Sequence, residues 1–348
     1  MTGELIGSLS PGFPGAIRLV SVFTFGGDRF TFKAMHRDLV TVERFYTDHA
    51  GPLQLKLLAG AGGLKRPIRE PTVNRPGLAL AGFTKYFASK RVQAIGAAES
   101  TYLKSLPKED RIKRYDMLFT HTFPCVVFNR NLKPDRDFLR AAEAANVPVF
   151  QSPLITMKFI NLATLALEAM FAPRGSDIGS MVDILGVGVI IRGESGIGKS
   201  ECVLALIERG YSLVADDITK VTLIDGREVV GTSSDLTRNH MEVRGIGIIN
   251  VAAMFGVKSI RDEKRVDLVV SLKRWEDVPD VDRLGLEEQY VEILGIPIPH
   301  IILPVRSGRD LARLVEVAAY QTKLKSSGCN PAKELNDRLL ARMAAQVR

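Results

Sequence analysis

Cysteine is scarce in this chain of 348 residues: there are three, Cys125, Cys202 and Cys329. Their number is odd, their spacings are wide and no C-x-x-C pair occurs, so they read as reduced thiols of a cytoplasmic protein and not as a disulfide framework. Long apolar runs are missing as well. No stretch reaches transmembrane length, and the first dozen residues lack the basic start and apolar core of a signal peptide, so no membrane partner is expected. Repeats and low-complexity tracts are also absent. There is no concentrated basic stripe either: the net charge is +8, but 47 Lys and Arg are scattered among 39 acids. That balance suits a nucleotide, a phosphorylated substrate or an acidic protein as well as it suits nucleic acid, and no nucleic-acid partner is expected. What remains is ordinary globular composition, 46% hydrophobic and 25% charged. Such a chain can bury a substantial core as two domains or one large one.

The first 35 residues differ from the rest. Ser8 to Gly15 is rich in Gly and Pro, and Phe23-Thr-Phe-Gly-Gly-Asp-Arg-Phe-Thr-Phe32 reads as a hairpin with a Gly-Gly-Asp turn. Residues 1–35 are read as an extension, with Met35 an alternative start to Met1. Residues 36–173 alternate: helices at His36–Phe45, Leu80–Phe87, Ala98–Leu106, Asp135–Ala145 and Leu154–Phe171, a charged run at Pro107–Arg114, and short strands at Cys125–Phe128 and Val147–Phe150. Strand, helix, strand at this spacing makes a βαβ unit, hence a small N-terminal α/β domain. Arg174-Gly-Ser-Asp-Ile-Gly-Ser180 is polar and glycine-bearing, so residues 174–180 read as a linker. From 181 to 348 strands are expected at Met181–Ile184, Gly188–Arg192, Ser212–Ala215, Lys220–Ile224, Glu228–Gly231, Val266–Leu272 and His300–Val305. Two helices follow, Arg309–Lys325 and one capped by Asn330 and opened by Pro331, with Leu335, Leu339 and Met343 at four-residue steps.

One segment states a chemistry. Gly193, Glu194, Ser195, Gly196, Ile197, Gly198, Lys199 and Ser200 form a G-x-x-x-x-G-K-[ST] loop between the apolar runs Val187–Ile191 and Cys202–Ile207. Chance produces this pattern in roughly one chain in a hundred of this length. A strand, a glycine-rich turn and a helix N-terminus aim backbone N–H groups and the positive helix end at a phosphate chain, so ATP is the expected ligand. Lys199 would reach the terminal phosphates and Ser200 would hold Mg²⁺. After Gly210 the chain reads Tyr211-Ser-Leu-Val-Ala-Asp-Asp217, placing Asp216 and Asp217 at the carboxyl end of a buried strand expected beside the loop's own strand. A carboxylate there can bind Mg²⁺ or take a proton from an attacking hydroxyl, or the pair can simply cap a turn. A second segment is Met241, Glu242, Val243, Arg244, Gly245, Ile246, Gly247, Ile248, Ile249 and Asn250. Charges in what reads as a buried apolar strand want phosphate or metal partners, with a structural ion pair the alternative. Arg283 and the turn Pro304, Val305, Arg306, Ser307, Gly308 and Arg309 add arginines that would, taken alone, be solvated.

These segments, in this order and spacing, resemble HPr kinase/phosphorylase over roughly residues 40 to 345, and Asn74–Phe83 and Pro124–Phe128 agree in the N-terminal half. The resemblance implies an α/β protein with a small N-terminal domain and a C-terminal P-loop kinase domain similar to that of PEP carboxykinase. It implies an ATP-dependent kinase that phosphorylates a serine of HPr, a small phosphocarrier of the bacterial sugar phosphotransferase system, or of an HPr-like protein. The same site could run phosphorolysis with inorganic phosphate, releasing pyrophosphate, and the assembly would be a homo-oligomer, a hexamer. Carried over by motif, Lys199 contacts the β- and γ-phosphates, Ser200 and Glu242 hold Mg²⁺, Asp217 moves the serine proton, Arg283 is catalytic and Pro304–Arg309 serves the phosphorolytic direction. One position departs: where the family usually places a histidine, in a segment ending Gly-x-x-Val-Asp, this chain has Ile178. Isoleucine supplies neither a hydrogen bond nor a titrating charge, which bears on phosphorolysis. Two other readings stay open, a nucleotide-sensing regulatory module without catalysis and a small-molecule kinase of the PEP carboxykinase type.

Overall fold

The structure is a computed structural model that describes residues 22–25, 28–31, 33–34, 39–278 and 288–346. First among the described residues are two antiparallel strands, β1 (Val22–Phe25) and β2 (Asp28–Thr31), and then β3 (Lys33–Ala34); the turn residues Gly26 and Gly27 expected between β1 and β2 lie outside the described residues. Its contacts divide it into two units, Arg37–Ala172 and the remainder.

Residues 37–172 build a five-stranded sheet between two helical layers. The elements are α1 (Val42–Leu53), β4 (Lys56–Ala59), β5 (Val73–Asn74), α2 (Gly77–Leu80), β6 (Val92–Ile95), α3 (Ala97–Ser105), α4 (Lys108–Phe119), β7 (Val126–Phe128), α5 (Arg136–Ala144), β8 (Val149–Gln151) and α6 (Thr156–Phe171). The strand order is β4-β8-β7-β6-β5, parallel except that β4 runs against β8. Phe45, Phe159, Ala163 and Leu167 from α1 and α6 pack one core, while Leu103, Tyr115, Leu118, Phe138 and Ala142 from α3, α4 and α5 pack the other. Several expectations shift. The first helix begins at Val42, not His36, because the Thr41 hydroxyl accepts from the Arg44 N–H at 3.2 Å and caps it there. The helix expected over Leu80–Phe87 stops at Leu80, since Gly82 takes φ +108° and turns the chain. The charged run at Pro107 is in fact α4: Glu109 and Asp110 suit its first turn, and Tyr115 and Leu118 supply its buried stripe.

The second unit continues with β9 (Arg174–Ile178), β10 (Ser180–Ile184), β11 (Val187–Gly193), α7 (Lys199–Glu208), β12 (Ser212–Ala215), β13 (Ile218–Ile224), β14 (Glu228–Thr232), β15 (His240–Val243), β16 (Gly247–Asn250) and α8 (Val251–Phe255). After these come β17 (Glu263–Arg265), β18 (Leu268–Arg274), β19 (Gln289–Ile293), β20 (Ile296–Val305), α9 (Leu311–Ser326) and α10 (Pro331–Gln346). A six-stranded sheet has the order β12-β10-β11-β18-β20-β19, in which β11, β18 and β20 are parallel. A second sheet, β17-β14-β13-β9-β3, includes the strand before residue 36. Cys202, Val203, Leu206, Val315 and Ala319 of α7 and α9 cover one face of the six-stranded sheet. On the other face Met181, Ile190 and Val269 meet Val221 and Val229 of the second sheet. In α10 the Asn330 side chain accepts from the Lys333 N–H at 3.2 Å, while Leu335, Leu339 and Met343 remain exposed.

The expected linker at 174–180 is strand, and the reason is electrostatic. Asp177 is buried and makes a two-pronged ion pair with buried Arg192 of β11, at 2.9 Å from Nε and 2.5 Å from Nη2. Ser180 is also buried. Polar residues that look like a solvated connection are internal partners instead. Asp177→Ala should therefore destabilise the protein by about 3–5 kcal/mol, because it strips a carboxylate from a buried guanidinium. Urea unfolding followed by far-UV circular dichroism would measure it, and an unchanged midpoint would refute the tie.

His300 of β20 is partly buried, with Nε2 2.8 Å from the Ser271 hydroxyl. Burial first, then the cations Arg192 and Lys273, pull its pKa from 6.5 to about 4. The unfolded chain takes up this proton near pH 6.5 and the folded chain only near 4. The stability associated with neutral His300 is thus complete above 6.5 and is lost as pH falls toward 4. The loss is on the order of 2–3 kcal/mol once partial exposure is allowed for. His300→Gln should flatten the decline in unfolding midpoint between pH 7 and 4.5 relative to the wild type, and an identical decline would count against it.

Candidate active site

Strand β11 carries the chain to the middle of the sheet and delivers it into the glycine loop. At Gly193 a Cβ would lie 2.8 Å from Ile197 Cγ2 and 3.2 Å from the Leu272 carbonyl oxygen, so the strand end has no room for a side chain. Gly196 and Gly198 take φ +85° and +102°, which admit the tight turn that brings backbone N–H groups around to the start of α7. Lys199 begins α7, with Ser200 in its first turn. The ten-residue helix presents its positive end to the turn.

Strand β12 was expected to lie directly beside β11, but β10 lies between them. It does so because β10 and β11 form an antiparallel hairpin and β12 then pairs antiparallel to β10. Two reversals leave β12 running the same way as β11, so Asp216 and Asp217 still emerge on the edge that carries the loop. The neighbours have different surroundings. Asp216 Oδ1 accepts from the Ser180 hydroxyl at 2.8 Å and Oδ2 from the Glu242 N–H at 3.0 Å. Burial is the main cause that moves its pKa upward, opposed by those two donors and reinforced by the neighbouring Asp217 charge. Asp217 takes φ 55°, donates its N–H to Ser180 Oγ at 3.2 Å and accepts from the Gly179 N–H at 2.8 Å. That left-handed kink swings its carboxylate outward, where Oδ1 lies 3.1 Å from Lys199 Nζ. The lysine side chain is 13% exposed and the carboxylate 58%.

The segment Met241–Asn250 is not a buried strand. It is a hairpin of β15 and β16 in which Glu242 stands opposite Ile248 and Val243 opposite Gly247. Gly245 and Gly247 both have positive φ, which makes the reversal possible. Met241 and Val243 face the core, whereas Glu242, Arg244, Ile246 and Ile248 face outward. The Arg244 guanidinium donates to Ser195 Oγ in the glycine loop. Asn250 caps α8 by accepting from the Ala253 N–H at 2.9 Å. The hairpin is thus fastened to the loop at one point and to Asp216 at another.

Arg283 lies outside the described residues. The turn Pro304–Arg309 leaves β20 at the same edge of the sheet, and its arginines are engaged. Arg306 and Arg309 lie 5.7 and 5.8 Å from the Trp275 ring centroid, and Arg309 Nη1 donates to the Pro304 carbonyl at 3.1 Å. Trp275 and Ser180 were not foreseen: a lone tryptophan and a single serine carry no local signal. Among the described residues no cluster of three or more His, Cys, Asp or Glu could hold a metal ion unaided. The oxygen donors present, the Ser200 hydroxyl and the Glu242 carboxylate, suit Mg²⁺, which takes its remaining ligands from phosphates and water. No helix among the described residues is long and apolar enough to cross a membrane.

A glycine-rich turn, a lysine–aspartate pair beside it and a hairpin tied to the turn through Arg244 and to Asp216 through the Glu242 N–H thus meet at one edge of the sheet. Comparison with known proteins agrees with the resemblance read from the sequence. Residues 40–167 match the HPr Serine kinase N terminus, and residues 169–339 the HPr Serine kinase C-terminal domain. An HPr kinase/phosphorylase from Leptospira biflexa is 39% identical over 302 residues, covering 86% of this chain and 94% of that protein. The protein of the same name from Bacillus subtilis is 40% identical over 285 residues, covering 82% and 92%. A solved structure of the Hpr(Ser) kinase/phosphatase from Coxiella burnetii is 34% identical, covers 44% of this chain and 93% of its own, and superposes with a TM-score of 0.42. The chain belongs to the HPr kinase/phosphorylase family.

Proposed function

We propose that this protein is an ATP-dependent protein-serine kinase that phosphorylates HPr or an HPr-like phosphocarrier. The observation that carries the reading is the 3.1 Å contact between Lys199 Nζ and Asp217 Oδ1 at the end of the glycine loop. It puts the cation for the terminal phosphates and the acceptor of the serine proton within one hydrogen bond of each other. A hydroxyl placed beside this pair would be in reach of both. The loop's N–H groups and the α7 N-terminus hold the phosphate chain. Ser200 and Glu242 would hold Mg²⁺, which when bound offsets phosphate charge. Asp217 takes the proton from the serine hydroxyl as that oxygen attacks the γ-phosphorus, the bond from the γ-phosphorus to the β,γ-bridging oxygen breaks, and ADP leaves. Lys199 then faces the charge gathering on the transferred group. Arg283 is proposed as a further catalytic cation.

In reverse, orthophosphate attacks the phosphoserine phosphorus, the P–O(serine) bond breaks, Asp217 returns its proton to the serine oxygen and pyrophosphate leaves. Arg306 and Arg309, each near the Trp275 ring, are the cations of the turn proposed to serve that direction. The resemblance implies a histidine at the position that Ile178 holds here, so forward transfer is expected to dominate. The active form is proposed to be a cytoplasmic homo-oligomer, a hexamer.

The test is label transfer from γ-labelled ATP, with Mg²⁺, to HPr from the same genome, and then release of pyrophosphate when phospho-HPr is given orthophosphate. The wild type should transfer label. Asp217→Asn should lower kcat by about 10²–10⁴-fold while nucleotide affinity changes less than about three-fold. Tight ATP binding with no transfer by the wild type would favour the nucleotide-sensing reading. Full transfer by Asp217→Asn would remove the assigned base.

A further inference from the structure

The unit of residues 37–172 holds a cavity that the phosphoryl-transfer site does not use. Its volume is about 160 Å³, and it lies at the carboxyl ends of the parallel strands β6 and β7, among α3, α4 and the turn into α5. That edge of a parallel sheet is where α/β domains take ligands. The floor is apolar: Leu103, Phe128 and Phe138 line it and are 4%, 3% and 1% exposed. It is also fixed in shape, since Phe138 meets Tyr115 and Phe128 edge-on, in each case with ring centroids 5.0 Å apart.

The walls carry polar groups with capacity to spare. Ser100 of α3 lines the cavity at 7% exposure, and its hydroxyl has no hydrogen-bond partner among the described residues. Asp135, the one carboxylate on the wall, is engaged at both oxygens: Oδ1 accepts from the Phe138 N–H at 2.8 Å and Oδ2 from the Tyr115 hydroxyl at 2.8 Å. Arg111 Nε stands 3.1 Å from the same Oδ2, yet it is buried without an aligned hydrogen bond. The charged run Pro107–Arg114 thus sends one arginine to the cavity. Lys104 and Lys133, both exposed, mark the mouth, and neither has an acid partner among the described residues.

A flaw in packing has a different character. Empty voids are apolar throughout, whereas this cavity sets an unpartnered hydroxyl and a buried guanidinium N–H over an aromatic floor. Such groups are costly to leave unpaired, and a bound molecule relieves that cost. Orthophosphate would meet the cations and leave the floor empty. A hydrocarbon would fill the floor and leave Ser100 and Arg111 unpaired. A planar carboxylate on a small apolar body does both, because its two oxygens match a guanidinium fork and a hydroxyl. Size sets the body: a cavity of about 150 Å³ holds one benzene ring.

We infer that this cavity is a binding site for a small monocarboxylate whose body is one ring or a branched chain of four or five carbons. The body lies on Phe128 and Phe138, and the carboxylate meets Arg111 and Ser100 beneath Lys104 and Lys133. The site gives residues 37–172 a ligand of their own, and it stands whatever the outcome of label transfer at the glycine loop.

Titration calorimetry on the full chain in phosphate-free buffer tests this, with benzoate and 3-methylbutanoate as probes. At least one should bind one-to-one with a Kd on the order of 1 mM or below. A ten-fold excess of benzamide, the neutral counterpart of benzoate, or of orthophosphate should not displace it. Arg111→Gln should weaken the probe at least 10-fold, since Tyr115 and the Phe138 N–H still hold Asp135. Ser100→Leu fills the cavity and should abolish binding. Should circular dichroism show either variant unfolded, Lys104→Gln with Lys133→Gln decides, because both positions are exposed; the pair should weaken binding about 3-fold. No saturable binding of either probe overturns the proposal. So does full displacement by benzamide or orthophosphate, or undiminished binding by every folded variant, which would put the probe elsewhere on the chain.

Discussion

The Asp216 carboxylate is the constraint on which the site depends. One oxygen takes the Ser180 hydroxyl and the other takes the Glu242 N–H. Those partners belong to the start of β10 and to the hairpin of β15 and β16, which the carboxylate ties together at the sheet edge. Burial works against the charge and two hydrogen bonds work for it. A carboxylate held this way is a fixed strut with few alternative arrangements. Through it the backbone of Glu242 is set relative to Asp217, and the hairpin is held a second time, to the glycine loop, through Arg244 and Ser195.

Adjacent aspartates thereby divide two tasks by backbone geometry. The extended course of β12 ends with Asp216 turned toward its donors, and the left-handed kink at Asp217 sends the next side chain outward to Lys199. A left-handed non-glycine residue is costly, and here three contacts hold it: Gly179 N–H on its carbonyl, Ser180 on its N–H and the lysine on its side chain. Ser180 is shared between the two aspartates, so the strut and the carboxylate proposed as the base are positioned by one buried hydroxyl.

Much of this was legible because the chemistry is contiguous. A glycine-rich loop must sit between strand and helix, and Lys199, Ser200 and the aspartate pair follow from that local logic. The strand Ser212–Ala215 matched its expected limits, bounded by Gly210 on one side and two acids on the other. The failures come where a residue's partner lies far along the chain. Asp177 looked like linker polarity because Arg192, fifteen residues on, was not known to be its partner. Glu242 and Arg244 looked misplaced in a buried strand because hairpin and strand share the same apolar alternation until the turn glycines adopt positive φ. The different duties of Asp216 and Asp217 depend on a single dihedral angle, which composition does not encode.

The same distinction governs the isoleucines. In sequence, Ile178, Ile218, Ile246 and Ile248 read as ordinary β-formers, and three of them do lie on strands. Only the register shows that Ile178 pairs with Ile218, the residue after Asp217, and that Ile248 stands across from Glu242. On the inner face of the Glu242 hairpin Met241 and Val243 are buried, so the alternation of β15 and β16, fixed by this register, decides which of their apolar residues the core takes and which stay beside Glu242 at the surface.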